Sequence, residues 1–274
     1  MSVTITAADI NKLRQATGAG MLDCRKALTE SNGDFEAAID WLRKQGQKVA
    51  AKRSDREAKE GVILAKTTAD HKAGIVLCIS CETDFVSKNA DFVAFATSIA
   101  DAAVANNVKS VDELNAVEIN GAKVSDMIND KLASIGEKIE VSKFERVEAP
   151  FVASYIHGSN RMGVLVGMSK EAEEAGKDVA MQIAAMNPLG VDENSIPADV
   201  IEREKNIAID VVKAEGKPAE MAEKIAMGKL NKFFKDNTLM AQAFVKDGNK
   251  SVADYLKSVD ADLKVTEFKR VALG

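Results

Sequence analysis

Few residues of this chain have types suited to bond-making chemistry. It has three cysteines, Cys24, Cys78 and Cys81, and two histidines, His71 and His157. Cys78-Ile79-Ser80-Cys81 has the C-x-x-C spacing of a redox dithiol or of half a zinc site. It closes the apolar run Gly74–Ile79, which is of strand type, whereas a redox dithiol opens a helix. In a strand, residues three apart point to opposite faces, so the two sulfurs diverge. A zinc ion needs two further ligands at suitable spacing, which the two histidines do not supply. The cysteines therefore read as buried, inert thiols. His157 has no visible partner for general-base work and reads as a contact or a structural histidine. What remains is Ser80–Asp91, SCETDFVSKNAD, where an acid and a large apolar ring, Asp84 and Phe85, sit side by side. The plainer account makes Asp84 a helix cap and Phe85 a staple packed beneath the helix. The other account makes the pair a surface-binding tip, because loops on rigid scaffolds often carry function.

The elements around that pair have distinct patterns. Gly74–Ile79 precedes it as a strand, and Ala90–Ala105 follows with Phe92, Val93, Phe95, Ala96, Ile99 and Ala103 at helical spacing. The pair thus lies where a strand hands over to a helix. The chain is 46% hydrophobic and 29% charged, ordinary for a folded domain. Few prolines and aromatic residues favour helices over a β-sandwich. The net charge of −5 argues against a general nucleic-acid binder, whose footprint is basic. No apolar run reaches the ~18–20 residues that cross a bilayer. The N-terminal residues show neither a signal-peptide nor a transit pattern, so a cytoplasmic protein without a membrane is expected.

Residues 1–46 read as a three-helix module. Its helices carry Ile10 and Leu13, then Met21, Leu22 and Leu28, then Phe35, Ala38, Ile39 and Leu42, and glycine turns separate them. It resembles a ubiquitin-associated bundle, an interaction module, with Arg14, Met21, Leu22 and Arg25 as exposed candidates. Neighbouring apolar residues on so small a helix seldom both bury, so one of Met21 and Leu22 is expected at the surface. Residues 47–60 read as a polar, locally basic linker, in part helical.

An internal repeat follows. Gly74–Ser80 reads like Gly163–Ser169, Val124–Ile128 like Val252–Leu256, and Ile139–Val147 like Leu263–Val271. Two copies of strand–strand–helix–helix–strand are expected, at 61–148 and 149–274. The second copy holds an antiparallel helical hairpin inserted at about 198–236, which turns at Glu215–Pro218. The fold class is α+β: a three-helix ubiquitin-associated-like module, a duplicated core with small antiparallel sheets, and the hairpin.

Several stretches resemble the elongation factor Ts family of bacteria. Thr17–Leu28 (TGAGMLDCRKAL) is similar to its N-terminal signature, and Thr83-Asp84-Phe85-Val86 with Lys88 to its T-D-F-V-x-K motif. Ser154–Gly158 with Gly163–Val166 is a third match, and the order of parts also agrees. The resemblance implies a guanine-nucleotide exchange factor that binds elongation factor Tu, both GDP-bound and nucleotide-free, without covalent chemistry, cofactor or metal. It implies that Arg14, Met21, Leu22 and Arg25 face the GTPase domain. Asp84 and Phe85, within Thr83–Val86, would enter beside the magnesium site. Ile135, Gly136 and His157 would line a core contact, and Phe244 and Val245 would touch a far domain. Ala243 stands where the family often has proline, and Lys246 where an apolar residue is common. Two rivals to this function remain: an enzyme, which the missing G-x-x-x-x-G-K-[ST] loop and nucleophile elbow disfavour, and an adaptor, which leaves the T-D-F-V loop unexplained.

Overall fold

The computed structural model describes residues 4–53, 55–214 and 219–274. Its class is α+β, with many helices and small sheets. Two compact units are present. One comprises the chain up to Lys66, Leu77–Glu145 and Val271–Gly274, and the other Thr67–Val76 and Arg146–Arg270.

The first unit begins with α1 (Ala7–Thr17), α2 (Met21–Glu30) and α3 (Phe35–Arg53). Thr6 and Asp9 form a capping box at the start of α1, and Gly18 ends it in the left-handed region with φ 71°. Ile10, Leu13, Cys24, Ala27, Leu28 and Ala38 make the core of the three helices. α3 continues well past residue 46, into the stretch expected as a linker. Then come β1 (Glu60–Thr67), β2 (Ala73–Cys81), α4 (Asp84–Ser87), α5 (Ala90–Ala105) and α6 (Val111–Ala116). They are followed by β3 (Glu118–Ile119), β4 (Ala122–Lys123), α7 (Val124–Ile135) and β5 (Glu140–Glu148). β2 is the middle strand of the sheet β1-β2-β5 and is buried along its whole length. That explains its unbroken apolar run in place of alternation. Gly61 is required beside it, since a Cβ there would stand 2.6 Å from the Ile79 carbonyl oxygen. α3 packs on α7 at Gly46, where a Cβ would lie 3.0 Å from that of Ala133. α6 and the β3–β4 hairpin were not expected from periodicity, being too short to show any. A signal exists nonetheless: Asn120-Gly121, with φ of 53° and 81°, is the favoured pair for a two-residue hairpin turn.

The second unit contains β6 (Phe151–His157), β7 (Met162–Met168) and α8 (Glu173–Met186). α9 (Ala198–Ala214), α10 (Ala219–Asn237), β8 (Ala243–Phe244), β9 (Asp247–Ser251), α11 (Val252–Val259) and β10 (Val265–Ala272) complete it. β6 and β7 pair antiparallel from Phe151–Met168 to His157–Met162, in a sheet ordered β10-β7-β6. In both three-stranded sheets the second strand in sequence lies in the middle. α8 settles closely on β6, because a Cβ on Gly176 would meet that of Ala153 at 2.6 Å. α9 and α10 pack on one another and bury Ala208, Val212, Ala226 and Leu230, the seam of the expected hairpin. Its turn at 215–218 and the side chain of Met221 lie outside the described residues.

Candidate functional site

The T-D-F-V stretch forms α4, a single helical turn between β2 and α5. The cap-and-staple account of Asp84 and Phe85 fails on geometry. Thr83 occupies the N-cap position of α4, and Asn89 caps α5 by accepting from Asp91 N–H at 2.8 Å and Phe92 N–H at 3.3 Å. The Asp84 carboxylate turns instead to Lys88 Nζ at 2.7 Å, and this hydrogen-bonded ammonium lowers its pKa. Phe85 is 86% exposed, while Ser87 on the same turn is buried. The ring is thus outside the core of the folded chain, with its apolar surface open to solvent.

The approach to α4 is firmly held. The Glu137 carboxylate accepts from Glu82 N–H at 3.1 Å, Thr83 N–H at 3.0 Å and the Thr83 hydroxyl at 2.7 Å. Glu82 in turn accepts from Lys138 N–H at 2.7 Å and from the guanidinium groups of Arg53 and Arg56 at 2.8 and 2.9 Å. Burial alone would raise the Glu82 pKa; the Lys138 N–H and the two arginines outweigh it and hold it down to about 2. Sequence reading missed Glu82, Glu137, Arg53 and Arg56. Glu82 is visible beside the motif, but its partners come from distant segments.

Met21 and Leu22, expected to divide between core and surface, are both exposed, at 50% and 79%. The buried stripe of α2 is Cys24, Ala27 and Leu28, which leaves Leu22 off the stripe and Met21 in the open first turn. Arg14 and Arg25 are also exposed. Ile135, at the end of α7, is partly exposed, and Gly136 closes that helix with φ 79°, a backbone reason for glycine there. Gly18, Phe85, Val86, Lys131, Ser134 and Ile135 line one groove of about 410 Å³. The turn after α1, the exposed α4 and the end of α7 thus meet in the same unit.

In the second unit, His157 is exposed at the end of β6, with Nδ1 3.0 Å from the Tyr155 hydroxyl. Phe244 is not a surface side chain. It is 4% exposed and stacks on Tyr255 at 4.1 Å between ring centres. Its neighbour Val245 is 46% exposed, and the Val245 N–H donates to Gln182 Oε1 at 2.8 Å. Lys246 reaches Asp178, a buried acid of α8, at 2.5 Å. Phe244 ends β8, whereas Val245 opens the turn to β9, where the chain leaves the core.

All three cysteines are unpaired and buried. Burial raises the thiol pKa of Cys78 and pushes that of Cys81 up to about 12. Among the described residues no three His, Cys, Asp or Glu side chains are grouped to hold a metal, and no helix is long and apolar enough to cross a membrane.

Known proteins are similar to this sequence over nearly its whole length. The family profile described as elongation factor TS matches residues 82–274. Elongation factor Ts of Christiangramia forsetii is 52% identical over 273 residues, which span 98% of this chain and 99% of that protein. Elongation factor Ts of Flavobacterium psychrophilum is 52% identical over 274 residues, 99% of each chain. Elongation factor Ts of Clostridium perfringens is 43% identical over 282 aligned positions, spanning 98% of this chain and 93% of that protein.

Proposed function

Because this chain belongs to the elongation factor Ts family, we propose that it is a translation elongation factor that binds elongation factor Tu and promotes release of GDP and its exchange for GTP. The observation that carries this function is Phe85, exposed beside the ion-paired Asp84 on a turn whose approach is braced. A GTPase holds GDP through its phosphate cradle and magnesium ion. An exchange factor makes and breaks no covalent bond; it binds the nucleotide-free state more tightly than the loaded one, and the coupling is reciprocal. Burying Phe85 in the partner is worth about 1.5–3 kcal/mol. Spent on displacing the partner's nucleotide-binding elements, that shifts the equilibrium roughly ten- to hundredfold. Asp84 brings a negative charge toward the phosphates and the magnesium site, which weakens the hold on the metal.

Further contacts would supply affinity for both the GDP-bound and nucleotide-free partner. We assign Arg14, Met21, Leu22 and Arg25 to the GTPase domain, Ile135, Gly136 and His157 to a second region, and Val245 to a far domain. Phe244 supports Val245 from within. We further infer that residues 1–46 are a ubiquitin-associated-like module, with 47–60 joining it to the rest. The cores 61–148 and 149–274 are two copies of one unit, which the shared strand order supports. The protein would work in the cytoplasm without cofactor, metal, nucleic acid or membrane.

The test is stopped-flow release of fluorescent GDP from elongation factor Tu. Substoichiometric protein is expected to accelerate release through many turnovers. Release at the spontaneous rate, with complex formation intact, would leave a binding adaptor in place of an exchange factor.

A further inference from the structure

We propose that Glu82 and Glu137 are positioning residues for exchange: a reciprocal carboxylate brace that aims α4, and with it Asp84 and Phe85, at the partner. This inference rests on the function proposed above for Phe85. Each carboxylate holds the backbone of the other's segment. Glu137 Oε2 takes the N–H groups of Glu82 and Thr83, and its Oε1 takes the Thr83 hydroxyl. Glu82 Oε1 takes the Lys138 N–H together with Arg53, and its Oε2 takes Arg56. Hydrogen bonds to ionised carboxylates are among the stronger ones available to a backbone.

The position of Thr83 carries the functional reading. It is the N-cap residue of α4, where a threonine hydroxyl ordinarily accepts from its own helix, yet it makes no such bond. The hydroxyl donates to Glu137, which ties the entry of α4 to that carboxylate and fixes its angle. That angle matters because Phe85 has little packing of its own to set its direction. The chain immediately before α4 must do so. A turn released from the brace would be ordered only on binding, and that ordering would be subtracted from the work available for exchange.

The experiment combines single and double variants of the full chain, read by GDP release from elongation factor Tu and by thermal unfolding. Glu137→Ala is expected to slow release about tenfold, as loss of a charge-assisted set of bonds implies. Glu137→Gln is expected to stay within about threefold of the parent, since the amide oxygen accepts both N–H groups and the amide nitrogen donates to Thr83. In a Phe85→Ala background, Glu137→Ala is expected to slow release clearly less than it does in the parent, the remainder being the part that acts through Asp84, while its loss of thermal stability persists in full. Thr83→Ala, which keeps both N–H bonds, gives a milder second case should Glu137→Ala fail to fold. It is expected to show the same non-additivity with Phe85→Ala. Equal slowing by these variants with and without Phe85, or destabilisation with parental exchange, would reduce the brace to a structural element and overturn the inference. Parental exchange in Phe85→Ala alone would instead remove the function assigned to Phe85, and this inference with it.

Discussion

Phe85→Ala separates stability from function. The ring is 86% exposed and lies on a one-turn helix, so its removal leaves no cavity in the folded protein. Surface changes of this kind usually alter stability by less than about 0.5 kcal/mol. Alanine is also the better helix former, which pushes the small effect toward stabilisation. The thermal midpoint is therefore expected to be unchanged or slightly raised. In the complex the ring would be buried, and losing it forfeits about 1.5–3 kcal/mol. If that energy acts when nucleotide leaves, the maximal GDP-release rate falls roughly ten- to hundredfold while the concentration for half-maximal rate moves little. The assay is stopped-flow GDP release across a range of exchange-factor concentrations, with a thermal scan alongside. Two results would refute the reasoning: a maximal rate equal to the parent's, or a slowing that tracks a fall in thermal stability.

Further outcomes follow from the same geometry. The Glu82 carboxyl is held down to about 2, below its ordinary value of 4.5. A depressed pKa means that its stabilisation is present above the ordinary value and lost as pH falls toward the folded one. The gap in thermal midpoint between the parent and Glu82→Gln is thus expected to be full near neutral pH and to narrow as pH drops from about 4.5 to about 2; a constant gap across that window would count against the brace. Phe244→Ala should cost about 3–5 kcal/mol in denaturant unfolding, as for other buried aromatic residues. Val245→Ala should leave unfolding nearly unchanged and weaken binding to elongation factor Tu, as seen by calorimetry. Cys78 and Cys81 should resist a thiol reagent at mildly alkaline pH until the chain is unfolded, because burial keeps both protonated and covered; rapid labelling of the native protein would contradict that.

Much of the architecture was legible along the chain. α5 spans the expected Ala90–Ala105. The two helices of the hairpin begin and end close to the expected positions. These features rest on neighbours a few residues apart, so a single sequence carries them. The β3–β4 hairpin was missed although Asn120-Gly121 marks it, because two-residue strands offer no alternation to read.

The sequence alone determined that this chain is α+β and that Asp84 and Phe85 lie at a strand-to-helix junction. Residue types and short spacings are sufficient for each of those. Only the tertiary structure decided which way the side chains at that junction face. Phe85 points into solvent although a staple beneath α5 was equally compatible with its spacing, and Phe244 enters the core although its motif placed it at a contact. Met21 and Leu22 both remain outside. The brace likewise exists only in the fold, since it needs Arg53, Glu82 and Glu137 from three separate segments within hydrogen-bond reach. The physical reason is common to all of these. Local periodicity fixes which residues share a face of one element, but which face is covered depends on the elements packed against it, and those come from elsewhere in the chain.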